Sequence, residues 1–272
     1  MSFNNGFNQN NHNYQSNQNY QNSQDYQNFQ QQGAPVSSMF PTLWPSQEEF
    51  DRAVSSCLSR VFLRMFAALL VTAIAAYAVA SSLSLTLLII GNDYVFYGLI
   101  IVELGLVIAI SAGIKKMSPM TANVLFFLYA VINGLTLSVI FLLYTDGVIF
   151  HAFAVSALTF AAMAVYGATT RRDLSSIGSI CIMGLFGIII ASIVNIFFMS
   201  EMLDLIVCYV GVLVFVGLTA YDTQRIKRML SEATAANHDI AIKKVSVMGA
   251  LTLYLDFINL FLKILRIMGR KR

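Results

Sequence analysis

The stretch VMGALTLYLDFINLFLKILRIM, residues 247–268, is long enough to cross a membrane and is polar on one side only. About 20 helical residues span the roughly 30 Å of hydrocarbon in a bilayer. The polar positions recur at alternating steps of three and four, which places them on one face of a helix. They are Gly249, Thr252, Asp256, Asn259, Lys263, Arg266 and, just beyond the stretch, Arg270.

This polar face should turn away from lipid, toward the interior of a bundle or a water-filled path. Thr252 and Asn259 by themselves fit polar contacts that join helices in a membrane. A face that also carries Asp256 and Lys263 favours a central polar cavity instead. We therefore regard Thr252, Asn259 and Lys263 as candidate pore or ion-binding residues.

Six further apolar runs precede this stretch, and each has about the length of a membrane span. The seven runs cover approximately residues 61–83, 94–114, 121–143, 148–169, 177–198, 203–221 and 247–268. Hydrophobic residues make up 57% of the chain and charged residues 11%, whereas soluble domains carry about 25% charged residues. The sequence predicts an all-α polytopic membrane protein, a bundle of seven transmembrane helices.

The N-terminal segment has a different composition. Residues 1–45 are rich in Asn, Gln, Ser and Tyr and contain one charged residue, Asp25. Such a segment has too few aliphatic residues to form a core. We predict a disordered cytoplasmic tail over residues 1–45, followed by a transmembrane domain over residues 46–272. The tail has no apolar core of its own, so the first membrane helix should act as the targeting signal.

Charged residues alternate in sign between successive loops. The basic loops carry Lys115, Lys116, Arg171, Arg172, Arg225, Lys227, Arg228, Lys243 and Lys244. The intervening loops carry Asp93, Asp146, Glu201 and Asp204. The positive-inside rule then places the N-terminus and the basic loops in the cytoplasm. The compact loops favour a bacterial plasma membrane.

The last run leaves two topologies open, because a basic C-terminus on the outer side runs against the same rule. Seven full crossings are favoured by the length of the run, and the alternative is a re-entrant last segment.

The basic residues are dispersed among short loops and form no single patch, so nucleic acid is not an expected partner. The expected partners are the lipid bilayer, protons and a permeant ion; no protein partner and no cofactor are indicated.

Two acidic residues, Asp222 and Asp256, lie in or at the end of apolar runs. A carboxylate at the centre of a membrane helix costs roughly 2.5 to 3.5 kcal/mol on insertion scales, so retained acids are functional candidates. If the seventh helix enters the membrane near Ala250, the two carboxyls lie at similar depths. Two such groups in contact should share one proton and titrate as a unit. The pair is therefore a candidate pH sensor and gate.

Glu103, in the second run, is a third acid in a membrane span. Its carboxylate could bind a passing Ca²⁺ together with Asp256, because calcium takes oxygen ligands. Alternatively, it is a protonated, hydrogen-bonded group inside the bundle. Asp222, Asp256 and Glu103 are thus the candidate ligands of a transient calcium contact.

Two longer motifs resemble those of the Bax inhibitor (Lifeguard) family of membrane proteins. They are GLTAYDTQRIK at residues 217–227 and GALTLYLDFINLF at residues 249–261, and ELGL at 103–106 and MSP at 117–119 also match. The resemblance covers the membrane region and leaves out the N-terminal tail.

This resemblance implies a seven-helix bundle with the last helix at its centre, acting as a pH-sensitive calcium leak. It also implies that Asp222 and Asp256 form the proton-sensitive latch on the pore. A basic residue near the cytoplasmic end of the second helix supports that latch in some members. Lys115 and Lys116 are the candidates here, together with Arg225, although a lysine offers a point charge and not the paired donors of arginine.

Two other functions fit a pair of membrane aspartates. An intramembrane aspartyl protease would use two carboxyls that share a proton to activate water. The second aspartate of that family follows Gly-x-Gly, whereas Leu253-Tyr254-Leu255 precedes Asp256 here. A proton-coupled transporter could use the same acids as a proton relay. We predict a channel and not an enzyme, with these two functions as the alternatives.

Overall fold

The computed structural model describes residues 46–89 and 91–270, and this part of the chain is an all-α bundle without strands. The predicted N-terminal tail, residues 1–45, lies outside the described residues. The helices are α1 (Gln47–Ala80), α2 (Leu83–Ile89), α3 (Asp93–Gly113), α4 (Pro119–Leu137), α5 (Ile140–Leu143), α6 (Asp146–Thr169), α7 (Ser175–Phe198), α8 (Glu201–Ala235) and α9 (Asp239–Gly269).

Seven helical spans in the described residues are long and apolar enough to cross a membrane. Six of them are α1, α3, α6, α7, α8 and α9, and the seventh, Pro119–Leu143, comprises α4 and α5. Each overlaps one of the seven predicted apolar runs, although α1 begins at Gln47, well before the predicted start of its run at residue 61. The prediction of a polytopic all-α protein is therefore confirmed.

The last helix, α9, lies at the centre of the bundle. In its most apolar stretch 67% of the residues are buried, against 6% in α3 and 11% in α7. It packs against α1, α4, α6 and α8. The outer helices instead expose large apolar side chains such as Ile101, Ile180 and Phe186, as expected for surfaces that face lipid tails. The implied central position of the last helix is confirmed.

Several helices begin at a serine that binds an otherwise unpaired backbone amide. The Ser46 hydroxyl accepts from the Glu49 N–H at 3.2 Å, and the Ser200 hydroxyl accepts from the Leu203 N–H at 3.3 Å. Ser118 does the same for Thr121, with Pro119 in the first turn. Such caps occupy donors that the helix itself leaves free. The polar residues between the apolar runs thus define where the spans start.

Helix α8 extends well past the predicted end of its apolar run at residue 221. It continues through the basic residues to Ala235, and α9 already begins at Asp239. The extension is helical because Leu230, Ala233 and Ala235 are buried against the bundle, and packing of an apolar face outweighs a polar local composition. Asp222 is consequently an interior residue of a long helix, and the predicted end of the helix near it is wrong.

The C-terminal basic residues lie at the opposite end of the bundle from the connection between α8 and α9. Helix α9 is continuous from Asp239 to Gly269, about 46 Å at roughly 1.5 Å per residue. Arg266 pairs with Asp204 at 2.9 Å and Arg270 with Glu201 at 2.6 Å. Acidic groups at the start of α8 therefore neutralise the basic end of α9, and the last helix is continuous and long enough to cross a membrane.

Two close helix contacts depend on glycine. A Cβ atom added to Gly167 of α6 would overlap the carbonyl group of Ala220 in α8, and one added to Gly134 of α4 would lie 2.5 Å from the Thr72 carbonyl oxygen of α1. Small residues permit backbones to approach closely in membrane proteins, where lipid supplies no hydrophobic driving force. The Gly167 contact lies one helical turn or less from Asp222 and holds that part of α8 in place.

Candidate functional site

The side chains of Asp222 on α8 and Asp256 on α9 meet in the interior of the bundle. They are 7% and 5% exposed, and the two carboxyl groups are in hydrogen-bond contact. Two carboxyls can form a hydrogen bond only when at least one of them carries a proton. The structure thus brings together the two aspartates identified in the sequence.

The surroundings of the pair are polar on one side. Arg225 interacts electrostatically with Asp222 through space, but none of the ion pairs between described residues includes either aspartate. The Oδ2 atom of Asp256 is buried and has no hydrogen-bond partner in the described part of the chain. A buried carboxyl oxygen without a partner is costly, so this atom can accept a proton or a cation at little structural cost.

A cavity of about 390 Å³ opens onto Asp222 from the end of the bundle that carries the basic loops. We call it the inner cavity. It is also lined by Thr252, Lys115, Lys244 and Arg225, but not by Lys116. Of the three basic candidates for supporting the gate, Lys115 and Arg225 therefore border the same cavity as Asp222.

The polar face of α9 lies against α8 along its whole length. From one end to the other, Gly249 packs on Ile226, Asp256 contacts Asp222, the stem of Lys263 packs on Gly211, Arg266 pairs with Asp204 and Arg270 pairs with Glu201. The two helices run antiparallel, so residues that come later along α9 contact residues that come earlier along α8. The polar face is thus an interface between two helices for most of its length.

Two of the pore candidates on this face are satisfied within their own helix. The Thr252 hydroxyl donates to the Met248 carbonyl at 3.1 Å, and the Asn259 amide donates to the Leu255 carbonyl at 2.8 Å. Both side chains are only partly buried. Their polar groups therefore make no contact that joins α9 to another described helix.

A second cavity, the outer cavity, lies at the opposite end of the same interface. It measures about 850 Å³ and is lined by Lys263, Arg266 and Arg270 with Glu201 and Asp204. Along α9, Thr252 in the inner cavity and Lys263 in the outer cavity are about 16 Å apart at roughly 1.5 Å per residue. The polar face predicted to line a central polar cavity thus borders two separate cavities, with α8 packed on α9 between them.

Glu103 belongs to a separate hydrogen-bond network. Its carboxylate accepts from the Thr136 hydroxyl and, at 3.3 Å, from the Asn133 amide. The side-chain oxygen Oδ1 of Asn133 accepts from the Tyr254 hydroxyl at 2.9 Å, and Tyr254 also bonds Thr72 at 2.7 Å. This chain of contacts joins α1, α3, α4 and α9. It agrees with the alternative in which Glu103 is hydrogen-bonded inside the bundle.

Tyr254→Phe should lower the free energy of unfolding by about 1 to 3 kcal/mol, because it leaves the buried side-chain oxygen Oδ1 of Asn133 without its donor. That change corresponds to a drop of roughly 3 to 10 °C in the thermal midpoint in detergent. Tyr97→Phe is the matched control, since the Tyr97 ring is 63% exposed. Equal midpoints for the two variants would contradict a structural role for the network.

The described residues contain no group of three or more His, Cys, Asp or Glu side chains that could hold a metal ion. Asp222, Asp256 and Glu103 consequently do not form a preformed joint calcium site. A transient calcium contact at these acids stays a prediction. Asp222 and Asp256 remain two oxygen ligands in contact, which is fewer than the six to eight that Ca²⁺ takes when bound stably.

Sequence reasoning missed Tyr254, Thr72 and Gln224. Tyr254 is fully buried, with the Phe126 and Tyr129 rings edge-on to it at 5.8 and 5.7 Å. A hydroxyl inside an apolar run was the available signal, since buried tyrosines usually find a partner. Gln224 holds a loop by two hydrogen bonds, and no local pattern predicts so distant a partner.

A family model described as "Inhibitor of apoptosis-promoting Bax1" matches residues 54–272 of the chain. The match begins within α1 and includes all of the helices from α2 to α9. It therefore contains both aspartates, the two cavities and the Glu103 network.

Three bacterial relatives illustrate the similarity. The chain is 48% identical to the inner membrane protein YbhL of Escherichia coli (strain K12) over 215 residues, which is 79% of this chain and 92% of the relative. It is 46% identical to an uncharacterized protein of Borreliella burgdorferi over 216 residues, with the same coverage. An uncharacterized protein of Rickettsia prowazekii is 39% identical over 233 residues, 85% of this chain and 96% of the relative.

Proposed function

Because the chain belongs to the Bax inhibitor family of membrane proteins, we propose that it is a passive calcium leak gated by protons at the Asp222–Asp256 pair. The chain is a multi-pass integral membrane protein. The single observation that carries the proposal is the contact of two buried carboxyls from adjacent long helices. The contact is strongest when the two carboxyls hold one proton between them, because the hydrogen bond is then charge-assisted.

The proposed gate acts through the packing of α8 on α9. Loss of the shared proton leaves two negative charges side by side in a poor dielectric, which repel each other. A second proton neutralises the remaining carboxylate, which replaces the charge-assisted hydrogen bond by a weaker one between neutral groups. Either change favours another arrangement of the two helices, and the protein shifts between populations by differential proton binding.

The two cavities suggest the route of the ion. They border the same α8–α9 interface from opposite ends, and the packed segment between them corresponds to a closed state. Separation of α8 from α9 would connect the inner cavity at Asp222 with the outer cavity at Asp204 and Glu201. Carboxylate oxygens then stand at both entrances, and these are the ligands that Ca²⁺ prefers.

The proposal also includes an orientation of the protein in the membrane. The basic loops and the inner cavity face the cytoplasm by the positive-inside rule, and the outer cavity opens on the other side. A bacterial plasma membrane is the proposed location, supported by the name "inner membrane protein" of the Escherichia coli relative. The positive end of α9 lies outside with its charges paired to Asp204 and Glu201.

The test is calcium flux into liposomes that contain the purified full-length protein and a calcium-sensitive dye. We expect flux that varies with pH between 5 and 8 and is absent from protein-free liposomes prepared in parallel. Proton and calcium gradients are varied separately, because a leak follows the calcium gradient alone whereas a proton-coupled transporter depends on both. Absence of flux at every pH from monodisperse, helical protein would end the leak proposal and make a protease assay the next experiment.

A further inference from the structure

A third cavity lies at the same end of the bundle as the basic loops but apart from the carboxyl pair. Its volume is about 710 Å³. It is bordered by the first turns of α1, by the loop of residues 170–174 between α6 and α7, and by α8 after Asp222. Neither Asp222 nor Asp256 lines it. We call it the loop cavity.

The loop cavity carries a surplus of positive charge. Four basic residues line it, Arg171, Arg172, Lys227 and Arg228, against two acids, Asp51 and Asp173. Both acids have partners. Asp51 accepts from the Gln47 amide at 3.1 Å, and Asp173 accepts from the Ser175 hydroxyl at 2.7 Å and the Ser175 N–H at 3.0 Å. These Ser175 hydrogen bonds lower the pKa of Asp173.

Two of the four basic side chains are available for a ligand. Lys227 donates to the Ala168 carbonyl at 2.7 Å, and Arg228 lies 3.5 Å from Asp173. The guanidinium groups of Arg171 and Arg172 make no hydrogen bond or ion pair with any described residue, although both residues border the cavity. Guanidinium groups offer paired donors that match the oxygens of a phosphate.

The loop that presents these arginines is held in place by α8. The Gln224 amide donates to the Arg172 carbonyl at 2.7 Å, and its oxygen accepts from the Leu174 N–H at 2.9 Å. Leu174 itself is 2% exposed. Arg172 is therefore flanked by anchored backbone, which reduces the conformational entropy that ligand binding must overcome.

The loop cavity lies at the ends of two candidate membrane spans, which is where lipid headgroups are expected. Helix α6 ends at Thr169 and α7 begins at Ser175, so the loop directly follows one membrane span and precedes the next. Basic pockets between transmembrane helices on the cytoplasmic side are typical binding places for anionic headgroups. We propose that the loop cavity binds a phosphate group through Arg171 and Arg172, and its position at the ends of the two spans favours an anionic phospholipid as the source.

The experiment measures lipid binding to the full-length protein in detergent by native mass spectrometry and by the thermal midpoint. The probes are phosphatidylglycerol, phosphatidylcholine and inorganic phosphate. We expect phosphatidylglycerol to bind with defined stoichiometry and to raise the midpoint, and phosphatidylcholine to do neither. The double variant Arg171→Gln/Arg172→Gln should bind phosphatidylglycerol roughly tenfold or more weakly, because two charge-assisted contacts are lost.

The matched control is Arg52→Gln/Lys243→Gln, which removes two positive charges from residues outside the lining of the loop cavity. This control should bind like the wild type. An equal loss in both double variants would overturn the site, because it would mean attraction by net charge alone. A rise in midpoint with inorganic phosphate that depends on Arg171 and Arg172 supports the phosphate site and assigns it a soluble ligand, whereas no response to either phosphate probe overturns the proposal.

Discussion

Gly167→Val should lower the thermal midpoint of the protein by about 10 °C or more, the largest stability effect expected of a single substitution. A side chain at Gly167 would overlap the backbone carbonyl of Ala220, which cannot rotate out of the way. The two helices must then move apart, and overpacking of this kind costs typically 1 to 3 kcal/mol and more against rigid backbone. At roughly 2 to 4 °C per kcal/mol, 3 kcal/mol corresponds to about 10 °C.

The matched control is Gly187→Val on α7. No atom lies within 4 Å of a Cβ added at Gly187, and replacing a helical glycine removes some flexibility of the unfolded chain. We expect its midpoint to equal that of the wild type or to exceed it slightly, as read from a thermal melt in detergent. Similar losses in the two variants would mean that valine is harmful anywhere in these helices and that the α6–α8 contact is not special.

Asp222→Asn and Asp256→Asn should each abolish the pH dependence of calcium flux under the proposed function. An asparagine keeps the shape and can still bond the remaining carboxylate, but the pair no longer exchanges the shared proton. The ratio of fluxes at any two pH values between 5 and 8 should therefore approach one in both variants. Dye-loaded liposomes with matched protein content provide the measurement.

The double variant Asp222→Asn/Asp256→Asn sharpens this prediction. Under the proposed function the two residues act as one titrating unit. The pH dependence of flux in the double variant should therefore be as small as in either single variant, and no smaller. The effects of the two substitutions would then be strongly non-additive. Asp93→Asn, an exposed carboxylate at the start of α3, should keep the wild-type response. Retention of the full pH dependence in Asp256→Asn with correctly folded protein would show that the sensor lies elsewhere.

The class of the protein could be predicted from the sequence because the bilayer imposes strong local rules. A span needs about 20 apolar residues, and each of the seven runs meets that length. Backbone groups in hydrocarbon must be satisfied within the helix, so an apolar run of this length can hardly adopt another structure. The three-four spacing on residues 249–270 likewise predicted a single polar face from local geometry alone.

Helix ends were less predictable, as α8 shows. An end defined by hydropathy falls where the chain leaves the hydrocarbon, near Tyr221. The observed end at Ala235 reflects the burial of Leu230, Ala233 and Ala235 against neighbouring helices. Only the tertiary packing decides whether a helix continues into water, because the local signal there is weak.

What the sequence by itself determined is the membrane-spanning helical fold, the single polar face of α9 and the presence of two acids, Asp222 and Asp256, in or at the end of apolar runs. The tertiary structure alone decided that this face packs on α8, that it separates two cavities, and that Tyr254 joins Glu103 to Thr72 through Asn133. The physical reason is the separation in sequence of the residues that interact. Hydropathy and helical period act between residues a few positions apart, whereas these contacts join residues that are distant in sequence and become neighbours only when helices pack.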